Sequence, residues 1–227
     1  MKFGILIAVR TDSKRLPGKH FKVINNKLNL SVLDYCIKRC KKSKIKNIIL
    51  CTSRNKNDNI FENYSKINSL KIFRGSKNNV LKRYIDCAEK HNITDIVRIT
   101  GDCPLIDKDI INKLLHIYKK NKYDYVSNVT PPTFPDGLDV EVIKLSKLKE
   151  SYAENKSILN KEHVTLHIRR NSKYKKYNMF HNKKNLSKIR WTVDTESDLK
   201  LIKNIMIKFH PRIHFSWKDI YKLREFN

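Results

Sequence analysis

Short apolar runs alternate with helix-length amphipathic segments along the whole chain, and no other feature restricts its fold so tightly. "FGILIAV" (3–9), "IKNIILCT" (45–52), "LKIFRG" (70–75), "DIVRITGD" (95–102) and "YDYVSN" (123–128) read as strands. Between them, 30–42, 57–66, 78–91 and 107–120 carry apolar residues at helical spacing, as at Leu30, Leu33, Ile37 and Cys40. "LDVEVI" (138–143) restarts a strand by alternation, 145–170 is mostly helical, and "IRWTVD" (189–194) reads as a short strand. A helix over 195–209 opens on a Thr195–Asp198 capping box, with Asp in place of Glu or Gln, and "SWKDIYKLREF" (216–226) closes the chain as a last helix. This order predicts an α/β fold, a single mostly parallel sheet with helices on both faces joined by right-handed crossovers. At 227 residues, without repeat or long linker, residues 1–227 read as one domain. In such sheets ligands gather beyond the carboxyl ends of the strands, where the loops at Arg10, Thr52, Gly75, Gly101 and Ser127 begin.

No run approaches the roughly 20 apolar residues of a membrane span. The first residues enter a strand at once and lack the features of a secretory signal. Five cysteines, odd in number and set in apolar segments, suit reduced thiols and a cytoplasmic protein. The net charge of +27 comes with a chain crowded with Lys, Asn and Ile, so much of it reads as solvated surface. One asymmetry stands: residues 1–57 hold fifteen Lys and Arg against two acids, while the other 170 hold 34 against 20. The most cationic part contains the loop "AVRTDSKRLPGKH" (8–20), which implies an anionic ligand beside it. Such a loop can wrap a polyphosphate with cations and backbone N–H groups. It matches neither G-x-x-x-x-G-K-[ST] nor G-x-G-x-x-G, so neither an ATPase nor a dinucleotide enzyme is indicated.

Several acids stand where strands end. In "RITGDCPLID", Arg98, Thr100 and Asp102 share a strand face, with Gly101 giving backbone freedom. Asp102 is either a hard oxygen ligand for Mg²⁺ or, like Asp107, a cap of the next helix. "IRWTVDTESDL" repeats the geometry with Arg190, Thr192 and Asp194, and Asp194 is either a second metal ligand or a helix cap. After the proline-braced turn 129–137, Asp139 and Glu141 either read sugar hydroxyls or lie on a solvated edge strand. His163 and His167 have the spacing of a zinc pair without its other ligands, Cys36 and Cys40 are core, and Cys103 lacks a base.

The chain also resembles the cytidylyltransferases of the spore-coat polysaccharide type, relatives of the enzymes that make CMP-Kdo and CMP-sialic acids. Six blocks carry the resemblance in order over roughly residues 3–205: "VRTDSKRLPGK", "FRGSKNNVLKRY", "VRITGDCPLID", "SNVTPPTFPDGLDVEV", "KEHVT" and "RWTVDTESDL". It implies a Rossmann-like nucleotide-diphospho-sugar transferase fold and transfer of CMP from CTP to an acidic or phosphorylated sugar, with release of pyrophosphate. On this resemblance Lys19, Arg15 and Asp102 are catalytic, and Asp102 and Asp194 hold Mg²⁺. The nucleotide lies near Arg10, Thr11, Ser13, Arg15, Lys19, Thr52, Ser53, Arg74, Gly75, Ser76, Thr100 and Gly101. Asp136, Gly137, Asp139, Glu141, Glu162 and His163 fall on the acceptor side. From the residues themselves, Arg190, on the strand face of Asp194, is expected to hold an anionic group of the acceptor. A homodimer joined through the 131–141 arm is expected, and neither a membrane nor a nucleic-acid partner.

Two departures from the family pattern stand out. Asp12 replaces a glycine beside the expected triphosphate, where it must turn away or pair with a cation such as Lys14 or Arg15. Lys27-Leu28-Asn29 stands where Gly-Lys-Pro is usual. Two other functions compete. A nucleotide-sugar glycosyltransferase would use Asp139-Val140-Glu141 as its acidic metal motif, and an RNA-binding protein would need its basic residues gathered into a stripe with aromatics.

Overall fold

The computed structural model describes residues 1–181, 184–223, 225 and 226. Seven strands form the main sheet: β1 (Phe3–Ala8), β4 (Ile48–Ser53), β5 (Lys71–Gly75), β6 (Asp95–Thr100), β7 (Tyr125–Ser127), β8 (Glu141–Lys144) and β9 (Lys176–Asn178). Their spatial order is β5-β4-β1-β6-β8-β7-β9, and only β8 runs against the others. β2 (Val23–Asn25) and β3 (Leu30–Ser31) make a separate small hairpin.

The apolar runs become strands because both faces of the sheet are covered, so polar alternation is unnecessary. Along β1, Ile5 and Ile7 face one core and Leu6 the other. The first core is closed by α1 (Val32–Cys40), α2 (Ile60–Ile67), α4 (Lys108–Asn121), α8 (Glu196–Phe209) and α9 (Trp217–Lys222). The second is closed by α3 (Val80–Lys90), α5 (Leu145–Glu154), α6 (Ile158–His163) and α7 (Leu166–Arg170). All five cysteines are buried and unbridged. No described helix is long and apolar enough to cross a membrane.

The order of the strands locates the site. β4 and β5 are laid on one side of β1 and β6 on the other, so the chain reverses its direction of growth between β1 and β6. The carboxyl ends of these two strands open a crevice at that switch point. Into it run the loop after Ala8 and the turn Gly101–Asp102.

Two expectations need correction. Residues 189–194 are not a strand: an isolated bridge joins Arg190 to Asp136, and the segment is held by backbone bonds to Asp136 and Asp102 together with side chains. Residues 145–170 are mostly helical, as expected, in three short helices. The strand expected over 138–143 begins only at Glu141, so Asp139 precedes it. β9 and the β2–β3 hairpin were not foreseen, and the last helix ends at Lys222, with Arg224 of the expected span outside the described residues.

Candidate active site

Lys19 lies at the centre of the crevice, in a 3-10 turn at the end of the opening loop, and is 7% exposed. Its ammonium donates to Asp102 Oδ2 at 2.5 Å and to Asp194 Oδ1 at 2.6 Å. Those two acids are 92 positions apart in sequence and come from opposite ends of the site. Burial works against the charge on Lys19, but the two carboxylates outweigh it and hold its pKa above the ordinary value. Burial likewise pushes Asp102 and Asp194 up, and Lys19 pulls both below the usual carboxylate range.

Neither acid is used as a helix cap. Asp107 caps α4, accepting from the N–H of Asp109 at 2.7 Å. Thr195 caps α8 in the expected capping box with Asp198. Both Asp102 and Asp194 are thereby left facing the crevice, and the pair fits a Mg²⁺ ion. Two hard oxygen donors already converge on one cationic group, and no described cluster of three His, Cys, Asp or Glu residues completes an all-protein cage. Mg²⁺ takes few protein oxygens and keeps its other positions for phosphate and water.

Gly101 is required by space. A Cβ there would lie 2.6 Å from Val9 Cγ1 and 3.2 Å from the Ala8 carbonyl oxygen, where β1 and the β6 turn close together. Its N–H donates to that same carbonyl at 2.9 Å. Thr100 Oγ1 lies 3.1 Å from Cys103 Sγ, directly beneath the turn.

The rest of the opening loop splits into two groups. Arg15 is exposed and reaches Asp194 Oδ2 at 2.9 Å, while Ser13 is half-buried and Arg10 is largely open to solvent. Asp12 pairs with neither Lys14 nor Arg15. It lies 3.4 Å from Arg10 Nε and 3.7 Å from Lys77 Nζ, so it bridges the opening loop to the loop after β5.

Asp58 is the residue that sequence reasoning missed. Buried in a 3-10 turn after β4, it accepts from the Thr11 N–H at 2.8 Å, the Thr11 hydroxyl at 2.7 Å and the Ser53 hydroxyl at 2.5 Å. These bonds from Ser53 and Thr11 overcome burial and depress its pKa. Asp58 thus ties the opening loop to the Thr52–Ser53 strand end. Its one signal in the sequence is its place as the first acid after Asp34 in a cationic stretch. Asp58→Ala orphans several buried donors and should cost about 1–3 kcal/mol of stability. Urea unfolding measures that loss. In the folded variant the KM for CTP, the nucleotide the resemblance implies, should rise about tenfold with kcat little changed. An unchanged KM would mean that loop shape does not depend on Asp58.

Arg74 is occupied within its own neighbourhood: it donates to the Ser53 and Asn55 carbonyls at 3.0 and 2.8 Å and pairs with Glu62 at 3.0 Å. Gly75 accepts from the Arg54 N–H, and the Ser76 hydroxyl from the Asn79 N–H at 3.1 Å. These residues shape the turn flanking Thr52 and Ser53.

On the acceptor side, Arg190 is engaged by three carboxylates: Asp136 at 2.8 Å, Asp194 at 2.6 Å and Asp198 at 3.2 Å. Asp136 also accepts from Thr192 at 2.9 Å. Gly137 has φ +104°, and a Cβ there would meet the Trp191 and Thr192 backbone at 2.8 Å, so only glycine fits between the two segments. Glu141 is not on a solvated edge. It is 2% exposed and accepts from Arg98, from Tyr125 Oη at 2.6 Å and from Thr165 Oγ1 at 2.6 Å. This burial removes Asp139-Val140-Glu141 as an open acidic metal motif. Asp139 has no hydrogen bond or ion pair among the described residues, and burial, then Asp136 and Glu141, push its pKa up to about 7. Glu162 and His163 are exposed at the end of α6, and His167 turns away to Asn155 and Glu154.

This geometry has counterparts in known proteins. The cytidylyltransferase family model matches residues 4–220. A solved cytidylyltransferase from Leptospira borgpetersenii serovar Hardjo-bovis is 33% identical and superposes with a TM-score of 0.92, covering 99% of this chain and 94% of that one. The spore coat polysaccharide biosynthesis protein SpsF of Bacillus subtilis is 25% identical over 231 residues, spanning 96% of this chain and 92% of its own. A structure of CMP:2-keto-3-deoxy-manno-octonic acid synthetase complexed with CTP shares the fold at 13% identity and a TM-score of 0.68, covering 92% of this chain and 99% of that one.

Proposed function

The chain belongs to the cytidylyltransferase family, and from that premise we propose that it transfers CMP from CTP to an acidic or phosphorylated sugar and releases pyrophosphate. Its place would be in the making of a surface polysaccharide or glycoconjugate, as for the relative named for spore coat polysaccharide. The observation that carries this reading is the buried Lys19 ammonium held between Asp102 and Asp194 at the foot of a cationic loop.

The reaction joins an acceptor oxygen to the α-phosphorus of CTP. The bond from that phosphorus to the β-phosphate oxygen breaks, pyrophosphate leaves with the electron pair, and the hydroxyl proton goes to solvent. Such a transfer needs positioning and charge stabilisation more than covalent help. Asp102 and Asp194 would hold Mg²⁺, which when bound polarises phosphate oxygens and lowers the pKa of a nearby hydroxyl. Lys19 and Arg15 neutralise charge gathering on the leaving pyrophosphate. In the free protein their partners are Asp102 and Asp194, so the cations are already aimed at the crevice. Asp58 fixes Thr11 and Ser53, which set the walls of the nucleotide site.

Release of pyrophosphate from each of four NTPs, against a panel of sugar acids and sugar phosphates, tests the reading. CTP with one of these acceptors should be the productive combination. Turnover of a nucleotide sugar in place of CTP would favour a glycosyltransferase instead.

Asp12 gives a further expectation. Its exposed contacts to Arg10 and Lys77 are worth only about 0–1 kcal/mol. Repulsion from a nearby triphosphate outweighs that, so Asp12→Gly should tighten CTP binding, most at low ionic strength where screening is weakest. Calorimetric titration of CTP with Mg²⁺ at two salt concentrations measures it. Equal or weaker binding by the variant would mean that Asp12 does not face the phosphates.

A further inference from the structure

Arg190 donates to three carboxylates, Asp136, Asp194 and Asp198, which already counter its positive charge. Three other arginines hold unpaired donors: among the described residues the buried Nε–H groups of Arg83, Arg98 and Arg169 have no hydrogen-bond partner, and neither has the buried Tyr84 hydroxyl. Arg83 is held at the loop after β5 by its bond to the Ser76 carbonyl at 3.3 Å, which leaves the donors of Arg98, Arg169 and Tyr84. Buried donors are almost always satisfied, and unsatisfied ones call for an explanation such as a missing ion.

These donors belong to one neighbourhood. Arg98 on β6 is in register with Glu141 on β8 and donates to it, and its guanidinium carbon is 5.8 Å from the Tyr84 ring centroid. Arg169 stands one helical turn after Thr165, donating its N–H to the Thr165 carbonyl at 2.9 Å, and the Thr165 hydroxyl donates to Glu141 at 2.6 Å. Arg169 Nη1 donates to Thr130 Oγ1 at 3.3 Å, on the proline-braced loop. The Glu141 carboxylate therefore lies between the segments that carry two guanidinium groups. The Arg98 side chain is 24% exposed, so the neighbourhood is open to solvent on one side.

It is also continuous with the crevice. Arg190 joins Asp136 to Asp194 of the crevice at 2.8 and 2.6 Å, and the chain runs from Asp136 through Asp139 to Glu141, the partner of Arg98. Arg98 and Asp102 are four positions apart in the chain, a span of at most about 13 Å, which suits a single sugar rather than a polymer.

We propose that Arg98 and Arg169 form the subsite for the oxyanion group of the acceptor, a carboxylate or a phosphate. The proposal rests on the reading of the acceptor as an anionic sugar. Glu141 orients Arg98 and is the group an incoming anion must not displace; the anion takes up the free N–H groups beside it. A planar guanidinium suits both oxyanions, since each presents two oxygens at matching separation.

The side-chain Nε–H signals of arginine in ¹⁵N NMR give the test, with inorganic phosphate and acetate titrated into the nucleotide-free protein. The signals of Arg98 and Arg169 should shift saturably, and the anion that saturates first identifies phosphate or carboxylate. Arg39, whose guanidinium is spent on four backbone carbonyls, is the reference and should not move. Arg169→Gln should weaken the saturable shift of Arg98 about tenfold or more, because a charge-assisted bond is lost. No saturable shift at either residue, or an equal drift of every arginine, would overturn the proposal. Because no CTP is present, its failure is separate from failure of the transferase reading, which the pyrophosphate screen decides.

Discussion

Asp102→Asn should lower turnover about a thousandfold, since on the proposed mechanism losing one of the two carboxylates that would hold Mg²⁺ forfeits on the order of 4 kcal/mol at the transition state. The protein should still fold. Lys19 keeps Asp194 as a partner at 2.6 Å, so the substitution leaves no buried ammonium alone. Gly101 still packs against Val9, and Asp107 still caps α4. The stability cost is therefore about 1–2 kcal/mol at most, below the loss seen when a buried charge is left unpaired. Pyrophosphate release at saturating Mg²⁺ measures the first quantity and urea unfolding the second. Near-wild-type turnover would reduce Asp102 to a residue of the turn.

Glu141→Ala should have the opposite profile, costing about 3–5 kcal/mol of stability because it strips a buried ion pair of one member. Arg98 would lose its partner inside the fold, and Tyr125 and Thr165 would each lose an acceptor. The Thr165 bond also ties the α6–α7 junction to β8, so the loss spreads to the segment carrying Glu162 and His163. Burial raises the Glu141 carboxyl, but Arg98 and the two hydroxyls bring it below its ordinary value of 4.5. A depressed carboxyl stabilises the fold fully above that ordinary value, and the contribution fades as pH falls through the lower folded value. Glu141→Gln should flatten this acid limb. A midpoint for Glu141→Ala within about 1 kcal/mol of wild type would mean that Arg98 finds another partner.

Much of the architecture could be read from the sequence because its signal is local. Strands β1, β4 and β6 are buried on both faces, so they appear as unbroken apolar runs. The Thr195–Asp198 box announces α8 within four residues. The cationic loop and the acids at strand ends are local too, and the structure brings Lys19, Arg15, Asp102 and Asp194 together.

What could not be read depends on partners far away in the chain. Asp58 matters because it meets Thr11, 47 positions earlier, and no spacing within its own turn says so. Arg190 looks like a free cation until Asp136 arrives across 54 positions to join Asp194 and Asp198. The alternating pattern of "LDVEV" suits an open edge strand, yet β8 lies between β6 and β7, and Arg98 and Tyr125 admit Glu141 as a buried charge. Residues 189–194 have strand composition but only one bridge; backbone bonds to Asp136 and Asp102, and the side chains of Arg190 and Thr192 on Asp136, hold them.

The central claim is that the α-phosphate of CTP passes to an acceptor at the Lys19–Asp102–Asp194 crevice. Following that phosphorus tests it most directly. CTP labelled at the α-phosphate is incubated with Mg²⁺ and the acceptor panel, and the products are separated by anion exchange. The label should move into a sugar-bearing CMP conjugate, in equal amount to the pyrophosphate released, with wild type and not with Asp102→Asn. Label recovered only as CTP or free CMP with every acceptor, or equal conjugate formation by the variant, would contradict the account.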